Sequence, residues 1–340
     1  MKTKLFLGIA IVAIDCALNI AFAQTNAAMM KAIVVNEWGG LEVLKYQDAP
    51  KPEPKDDEIL VRVIAAAVNP VDSYVRQGRF GKHDGPMIIG SDIAGVVEKA
   101  GAAARKFKPG DAVYCYLSVM RGGAYAQYAI ARESETALKP KNISFDEAAA
   151  VPLAGTTAWQ ALIDSGKIAR GQTVLIHGGS GGVGSFAIPI AKARGAKVIA
   201  TASTEHQPIL KQLGVDQAID YTKTKFDDVV KGVDLVLDCV RGAEVLAKSY
   251  SVVKKGGIIV SITDEPDQTE CAQRGLTCSR MGAHPESQVL EELTKLIEAG
   301  KMKPIVSQTF PLAEASKAHQ QIETRHTAGK IVLKIGEEKK

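Results

Sequence analysis

The chain has 340 residues, with 42 Lys and Arg against 38 Asp and Glu and a formal charge of +4, too even a balance for a nucleic-acid binder or a polybasic membrane protein. At 46% hydrophobic and 24% charged residues the composition is that of a globular protein, and the 31 Gly and 14 Pro show no period, which excludes collagen-like and low-complexity chains. Five Cys in this length exclude a disulfide scaffold.

Lys2 and Lys4 precede an apolar run from Leu5 to Ile14, and the small-x-small triplet Ala21-Phe22-Ala23 stands before Gln24. Basic start, short apolar core and A-x-A end describe a secretory signal peptide over 1–23, which implies a periplasmic or secreted protein. No stable membrane insertion is expected, because Asp15 near the centre would cost about 2.5–3.5 kcal/mol in a bilayer. Met30 opens a clean strand pattern and is an alternative start that would leave the protein cytoplasmic.

From Met30 to about Ala150 the sequence reads as antiparallel β. Ile59–Val63 alternates with charged residues, Ile93–Val97 is β-branched, and Ala112–Tyr116 follows the turn Lys108-Pro109-Gly110-Asp111. The Pro-rich stretch from Pro50 to Pro54 suits a surface connection. After Pro152 strands alternate with helices: strand Thr173–Ile176, helix Ser185–Ala193, strand Lys197–Ala202, helix Pro208–Leu213 and strand Gln217–Tyr221. The apolar runs Val233–Val240 and Gly257–Ile262 suit strands covered on both faces, helix Ser287–Glu298 follows, and a strand over Lys330–Ile335 closes the chain. This predicts an α/β fold whose core is a Rossmann-type, doubly wound parallel sheet over 151–304.

The turn Gly179-Ser180-Gly181-Gly182-Val183-Gly184 joins an apolar strand to a helix, the context in which G-x-G-x-x-G marks dinucleotide binding. Gly179 is expected to permit the tight turn, Gly181 and Gly182 to admit a pyrophosphate, and Gly184 to let helix and strand pack closely. At the end of the second strand, Thr201-Ala202-Ser203-Thr204 stands where a NAD site would carry a carboxylate. Hydroxyls donate to a 2′-phosphate, so NADP is favoured, although Glu205 is adjacent and His206 is the nearest candidate cation.

The ordered motifs identify the chain as resembling the zinc-independent quinone oxidoreductase branch of the medium-chain dehydrogenase/reductase superfamily. They are Val68-Asn69-Pro70-Val71-Asp72, Gly90-Ser91-Asp92-Ile93-Ala94-Gly95-Val96-Val97, Phe107-Lys108-Pro109-Gly110-Asp111-Ala112-Val113 and Gly155-Thr156-Thr157-Ala158-Trp159. The glycine turn, Leu213-Gly214-Val215-Asp216 and Gly329-Lys330-Ile331-Val332-Leu333 complete the set. The resemblance implies a GroES-like β domain over 30–150, completed by about 305–340, with the dinucleotide domain inserted. It implies NADPH-dependent hydride transfer to a small-molecule quinone or enone, and a homodimer. Asn69, Asp72 and Tyr74 would line the nicotinamide and acceptor end, and Thr157 would face the cofactor. Gly181, Gly182 and Val183 would hold the pyrophosphate, with Ser203 and Tyr221 at the adenosine end, while Gln207 replaces a Lys that relatives direct at the 2′-phosphate.

Zinc is not expected. Asn69–Asp72 has no Cys, Ser91-Asp92 replaces a His-Glu pair, and the six His, at 83, 177, 206, 284, 319 and 326, never pair at ligand spacing. Without a metal, catalysis rests on positioning and on hydrogen bonds to the developing oxyanion, with Asn69 and Tyr74 as candidates. Asp72 is as suited to fixing a turn as to touching ligand, and Arg76 either offsets its charge or faces solvent. Cys239 reads as a buried hydrophobe; Cys271 and Cys278 share a polar loop and are free thiols or, after export, a bridge. A non-catalytic dinucleotide-binding protein and a zinc-free ketone or alcohol reductase are the alternative functions.

Overall fold

The computed structural model describes residues 28–81 and 85–338; the expected leader lies outside them. Six strands, Thr173–His177, Lys197–Ala202, Gln217–Asp220, Val233–Asp238, Val253–Ser261 and Thr277–Arg280, pair in parallel. Numbered along the chain, they lie in the order 3-2-1-4-5-6. Val174, Leu175 and Ile176 of the central strand are fully buried, as a sheet covered on both faces requires. The strand order reverses between the first and fourth strands, so their C-terminal ends open a crevice for a ligand.

Two strands are shorter than their apolar runs predict. Gln217–Asp220 stops before Tyr221 and Val233–Asp238 stops before Val240 for one shared reason. Each ends on an Asp whose carboxylate accepts the N–H two residues on, Asp220 from Thr222 at 3.0 Å and Asp238 from Val240 at 3.1 Å, and this local bond turns the chain out of the ladder.

The expected polar loop around Cys271 and Cys278 is corrected. Asp267 caps a helix, Gln268–Arg274, by accepting from the N–H groups of Thr269 and Glu270, and Gly275 ends it at φ +65°. The sixth strand follows at once. Cys271 of the helix and Cys278 of the strand form a disulfide, with Cα atoms 6.2 Å apart.

The β domain is built on the eleven-residue strand Glu58–Val68. Asp92–Ala100, Tyr128–Arg132 and the returning C-terminal strand Lys330–Lys334 all pair with it antiparallel. Ala112–Tyr116 and Thr136–Leu138 extend one side, and Val306–Pro311 the other. A smaller sheet holds Lys45–Pro50, Met29–Val35 and Met87–Ile88. The architecture is thus a Rossmann-type sheet beside an antiparallel GroES-like domain. The C-terminal strand clasps them together, because the Gly329 N–H donates to the Ser180 carbonyl of the glycine turn at 2.8 Å.

Candidate active site

The glycines of the turn divide by what a side chain would meet. Gly178, not Gly179, carries the left-handed bend, at φ +70°. A Cβ on Gly179 would lie 2.8 Å from the Ala200 Cβ, and one on Gly184 would lie 2.3 Å from the Gly178 carbonyl oxygen, so these two are required by packing. On Gly181 and Gly182 the nearest atoms would be 3.3 Å away, and both residues are half-buried at the crevice. Helix Gly184–Ala193 starts here with Val183 at its N-cap and no side chain capping it. The N–H groups of Gly182, Val183 and Gly184 have no acceptor among the described residues. Three unpaired donors at the positive end of a ten-residue helix, on backbone free of side chains, fit a diphosphate.

Below the turn, His177 is buried, with Nε2 at 3.1 Å from the Ser249 Oγ and Nδ1 at 3.3 Å from the Thr201 Oγ1. Ser249 already donates to the Val245 carbonyl, so Nε2 carries the proton and Nδ1 accepts from Thr201. Burial pushes the imidazole down to about 4. Thr201 therefore supports the turn from within rather than facing a phosphate.

Ser203 and Tyr221, the residues expected at an adenosine, stand at the C-terminal ends of adjacent strands, joined by the Tyr221 N–H to the Ala202 carbonyl. Ser203 is half-buried and Tyr221 exposed. Gln207 is turned inward, its amide donating to the carbonyls of Ala202, Ser203 and Ile219, so it offers no donor outward. Thr204 donates to Asp220 at 2.6 Å. That bond, with those from Thr222, holds the Asp220 carboxyl down to about 2, a standing negative charge beside Ser203 and Tyr221, with Lys223 at 3.4 Å to offset it.

The other end of the crevice is organised by a buried ion pair. Lys330 and Asp92, 3% and 0% exposed, stand 3.5 Å apart across strands of the β domain. Between them lies the Asn69 side chain: its Nδ2 donates to Asp92 at 2.9 Å and its Oδ1 accepts from Lys330. An ammonium only donates and a carboxylate only accepts, so the amide has one permitted orientation. Asp92 also accepts the Leu153 N–H at 2.7 Å, which fixes the start of helix Pro152–Trp159, and Lys330 donates to the Val68 carbonyl. Burial raises Asp92 against the opposing pull of Lys330. The stem of Lys330 lies along the glycine turn, its Cδ 3.3 Å from where a Gly182 Cβ would be. One residue thus holds Asn69 and covers part of the glycine turn.

Asp72 sits one turn into helix Pro70–Arg76 and is 1% exposed. Its Oδ2 accepts from the Asn69 N–H and from the Tyr125 hydroxyl, each at 2.8 Å, and burial raises it to about 7. It reaches the site through Asn69. Behind it, His319 joins Tyr125 to Arg76, and Arg76 pairs with Glu323 at 2.7 Å. Tyr74 is half-buried on the same helix, its hydroxyl without a partner among the described residues. The Thr157 hydroxyl donates to Leu153 at 2.7 Å and keeps its lone pairs free, while the buried Thr156 hydroxyl beside it has no partner.

Asp92 and Lys330 lie inside ordered motifs that assign them no part in the site, and Tyr125 and His319 lie outside every motif. A lysine directly before the apolar run Ile331-Val332-Leu333 was the available signal for Lys330, since a charge carried into the core needs a buried partner. Asp238, also missed, ends the fourth strand in the crevice; burial raises it to about 6 despite hydrogen bonds from Val240 and Ser261. Asp92 already accepts from Lys330, Asn69 and Leu153, and no group of three or more His, Cys, Asp or Glu gathers at ligand spacing among the described residues.

Comparison with known proteins agrees with this geometry. Residues 55–141 match the family model described as alcohol dehydrogenase GroES-like domain, and residues 213–333 match that described as zinc-binding dehydrogenase. The chain is 39% identical over 332 residues to an NADPH-dependent alkenal/one oxidoreductase of Arabidopsis thaliana, covering 94% of this chain and 83% of the relative. It is 34% identical to the quinone oxidoreductase of Homo sapiens, over 91% of this chain and 99% of the relative. Among solved structures it superposes on the quinone oxidoreductase of Coxiella burnetii with a TM-score of 0.84 and 34% identity, covering 90% of this chain and 99% of that one. A mycobacterial protein solved in complex with NADPH gives a TM-score of 0.81 at 32% identity, over 90% and 99% of the two chains. Two domains of matching architecture, a glycine turn facing unpaired donors into their crevice and identity above 30% over nine-tenths of the chain lead to one conclusion: the chain belongs to the medium-chain dehydrogenase/reductase superfamily, in its quinone oxidoreductase and alkenal oxidoreductase-like branch.

Proposed function

We propose that the protein is an NADPH-dependent reductase of quinones or of C=C bonds conjugated to a carbonyl, working without zinc. The relatives reported above support the reaction class, and the observation that carries the site is Lys330, which ties the glycine turn to Asn69. Bound NADPH supplies the hydride; the chain supplies position and hydrogen bonds. Gly181, Gly182 and Val183 hold the diphosphate, Ser203 and Tyr221 flank the adenosine, and Thr157 faces the nicotinamide. Asn69, locked by its two charged partners, orients the reacting groups without reorganising during reaction, and Asp72 acts by holding Asn69. The Tyr74 hydroxyl donates to the acceptor oxygen as charge develops there.

A panel of neutral quinones, enals, enones and ketones, followed by loss of NADPH absorbance, tests this reading. Turnover of quinones or enones supports it. Turnover of ketones alone assigns the zinc-free ketone reductase, and cofactor binding without turnover assigns a non-catalytic binding protein. Export is part of the same proposal. The Cys271–Cys278 disulfide supports an oxidising compartment, and the intact mass of protein purified from its source should show loss of residues 1–23. The homodimer is proposed to pair along Thr277–Arg280, the outer strand of the parallel sheet, and sedimentation checks it.

A further inference from the structure

The ring of Tyr74 is flanked by two guanidinium groups from opposite sides of the crevice. The Arg79 Cζ lies 4.9 Å from the ring centroid and the Arg241 Cζ 5.2 Å from it. Arg79 follows helix Pro70–Arg76 of the β domain, held by its N–H donating to the Tyr74 carbonyl at 3.0 Å. Arg241 follows the fourth strand of the parallel sheet, at the switch in strand order. Its position is pinned from both sides. The Val240 carbonyl accepts from the Thr263 hydroxyl at 2.9 Å, and the Gly242 N–H donates to Asp264 at 2.7 Å. The Val240 side chain also lies against Gly178 of the glycine turn, 2.8 Å from where a Cβ would be.

Both arginines are exposed, and neither guanidinium has a carboxylate or hydrogen-bond partner among the described residues. Two like charges on one ring repel each other, and the attraction of the ring, about 0.5–1 kcal/mol for each exposed pair, offsets little of that. A guanidinium stacked on an aromatic face keeps its N–H edge free, and that edge matches a carboxylate or sulfonate with two parallel bonds. An anion between Arg79 and Arg241 would relieve the repulsion and draw both walls of the crevice onto Tyr74. Asp264, in the loop after the next strand, is engaged by the Gly242 N–H rather than by Arg241.

We propose that Arg79, Tyr74 and Arg241 form an anion-recognising mouth to the acceptor site, so that the acceptors this protein prefers are quinones or enones bearing a carboxylate or similar anionic group. This rests on the reductase reading above, and the test separates the two. The ratio of kcat/KM for 1,4-naphthoquinone-2-sulfonate to that for neutral 1,4-naphthoquinone is measured with NADPH for the natural protein and for Arg79→Gln, Arg241→Gln and the double variant. Comparing the ratio between variants cancels the difference in reactivity between the two quinones. The double variant should lower the ratio about tenfold, as loss of a charge-assisted contact predicts. The natural protein's ratio should also fall as salt rises from about 0.01 M to about 1 M. Circular dichroism confirms that the variants fold. A ratio unchanged in the double variant overturns the inference while neutral-quinone turnover leaves the reductase reading standing. A weaker NADPH affinity with an unchanged ratio also overturns it, by assigning the arginines to the cofactor's phosphates. Failure of the natural protein to consume either quinone takes down both.

Discussion

Lys330 is the residue on which most of the site depends. It compensates Asp92, fixes the Asn69 amide and covers Gly182, all while buried. Removing one member of a buried ion pair leaves the other uncompensated, at about 3–5 kcal/mol. Lys330→Met should therefore lose about that much stability in denaturant titrations. Asn69→Ala leaves the pair intact, so it should lower kcat well beyond its effect on NADPH affinity; unchanged kcat would remove Asn69 from the mechanism. At the other end of the crevice, Asp220 places a negative charge where a 2′-phosphate would approach. Asp220→Asn should improve NADPH binding relative to NADH by a few-fold, read by fluorescence titration with both cofactors, in line with one exposed charge. His177 predicts a pH effect. Its folded value, about 4, lies below the ordinary 6.5, so the unfolded chain takes up the extra proton between those values. Stability from this site is complete above pH 6.5 and falls through the window by up to about 3 kcal/mol. Asp72 and Asp238, raised to about 7 and about 6, act oppositely and lose stability as pH rises from about 4. His177→Gln should remove the His177 share of this balance, so the Tm of the variant relative to the natural protein should rise as pH falls from 6.5 to 4; a Tm difference that does not change with pH would contradict the assignment.

At the scale of elements, the strand–turn–helix unit separates glycines required by packing from those left open at the crevice. Gly184→Ala drives a Cβ into the Gly178 backbone and should lower Tm sharply. Gly182→Ala meets the flexible stem of Lys330 at 3.3 Å and the Gly329 carbonyl oxygen at an ordinary contact distance of 3.5 Å, so Tm should change little while NADPH affinity falls at least about tenfold by blocking close approach to the phosphates. Thermal melts and titrations on the same two samples distinguish these effects. The unit itself was legible, because apolar periodicity and the glycine string agree on where strand ends and helix begins. The tight turn was misplaced by one residue, from Gly178 to Gly179, because backbone angles leave no trace in a run of glycines. The strand ends at Asp220 and Asp238 were overrun because apolar pattern reports burial, whereas an Asp bonding two residues ahead decides where pairing stops. Helix Gln268–Arg274 had readable signals in Asp267 and Gly275, obscured by its polar face.

For the whole molecule, the two-domain arrangement was visible in the switch from β alternation to strand–helix rhythm and in the ordered family motifs. The pairing of Asn69 with Lys330, 261 positions apart, was not, since nothing local in either segment reports the other. The same distance explains the tyrosine hydroxyls that bridge the domains: Tyr114 donates to Leu290, and Tyr116 to Ala283 at 3.1 Å. These contacts and the C-terminal strand make the crevice a shared product of both domains, so a change in either should alter turnover. The central claim is that this crevice delivers hydride from NADPH to an activated acceptor. Its most direct test is turnover of a neutral enone with NADPH carrying deuterium on one or the other face of the nicotinamide C4, with the product read by mass spectrometry and NMR. The account predicts one deuterium at the carbon β to the carbonyl from one of the two labelled cofactors and none from the other. Bound cofactor with no deuterium in the product from either would contradict it.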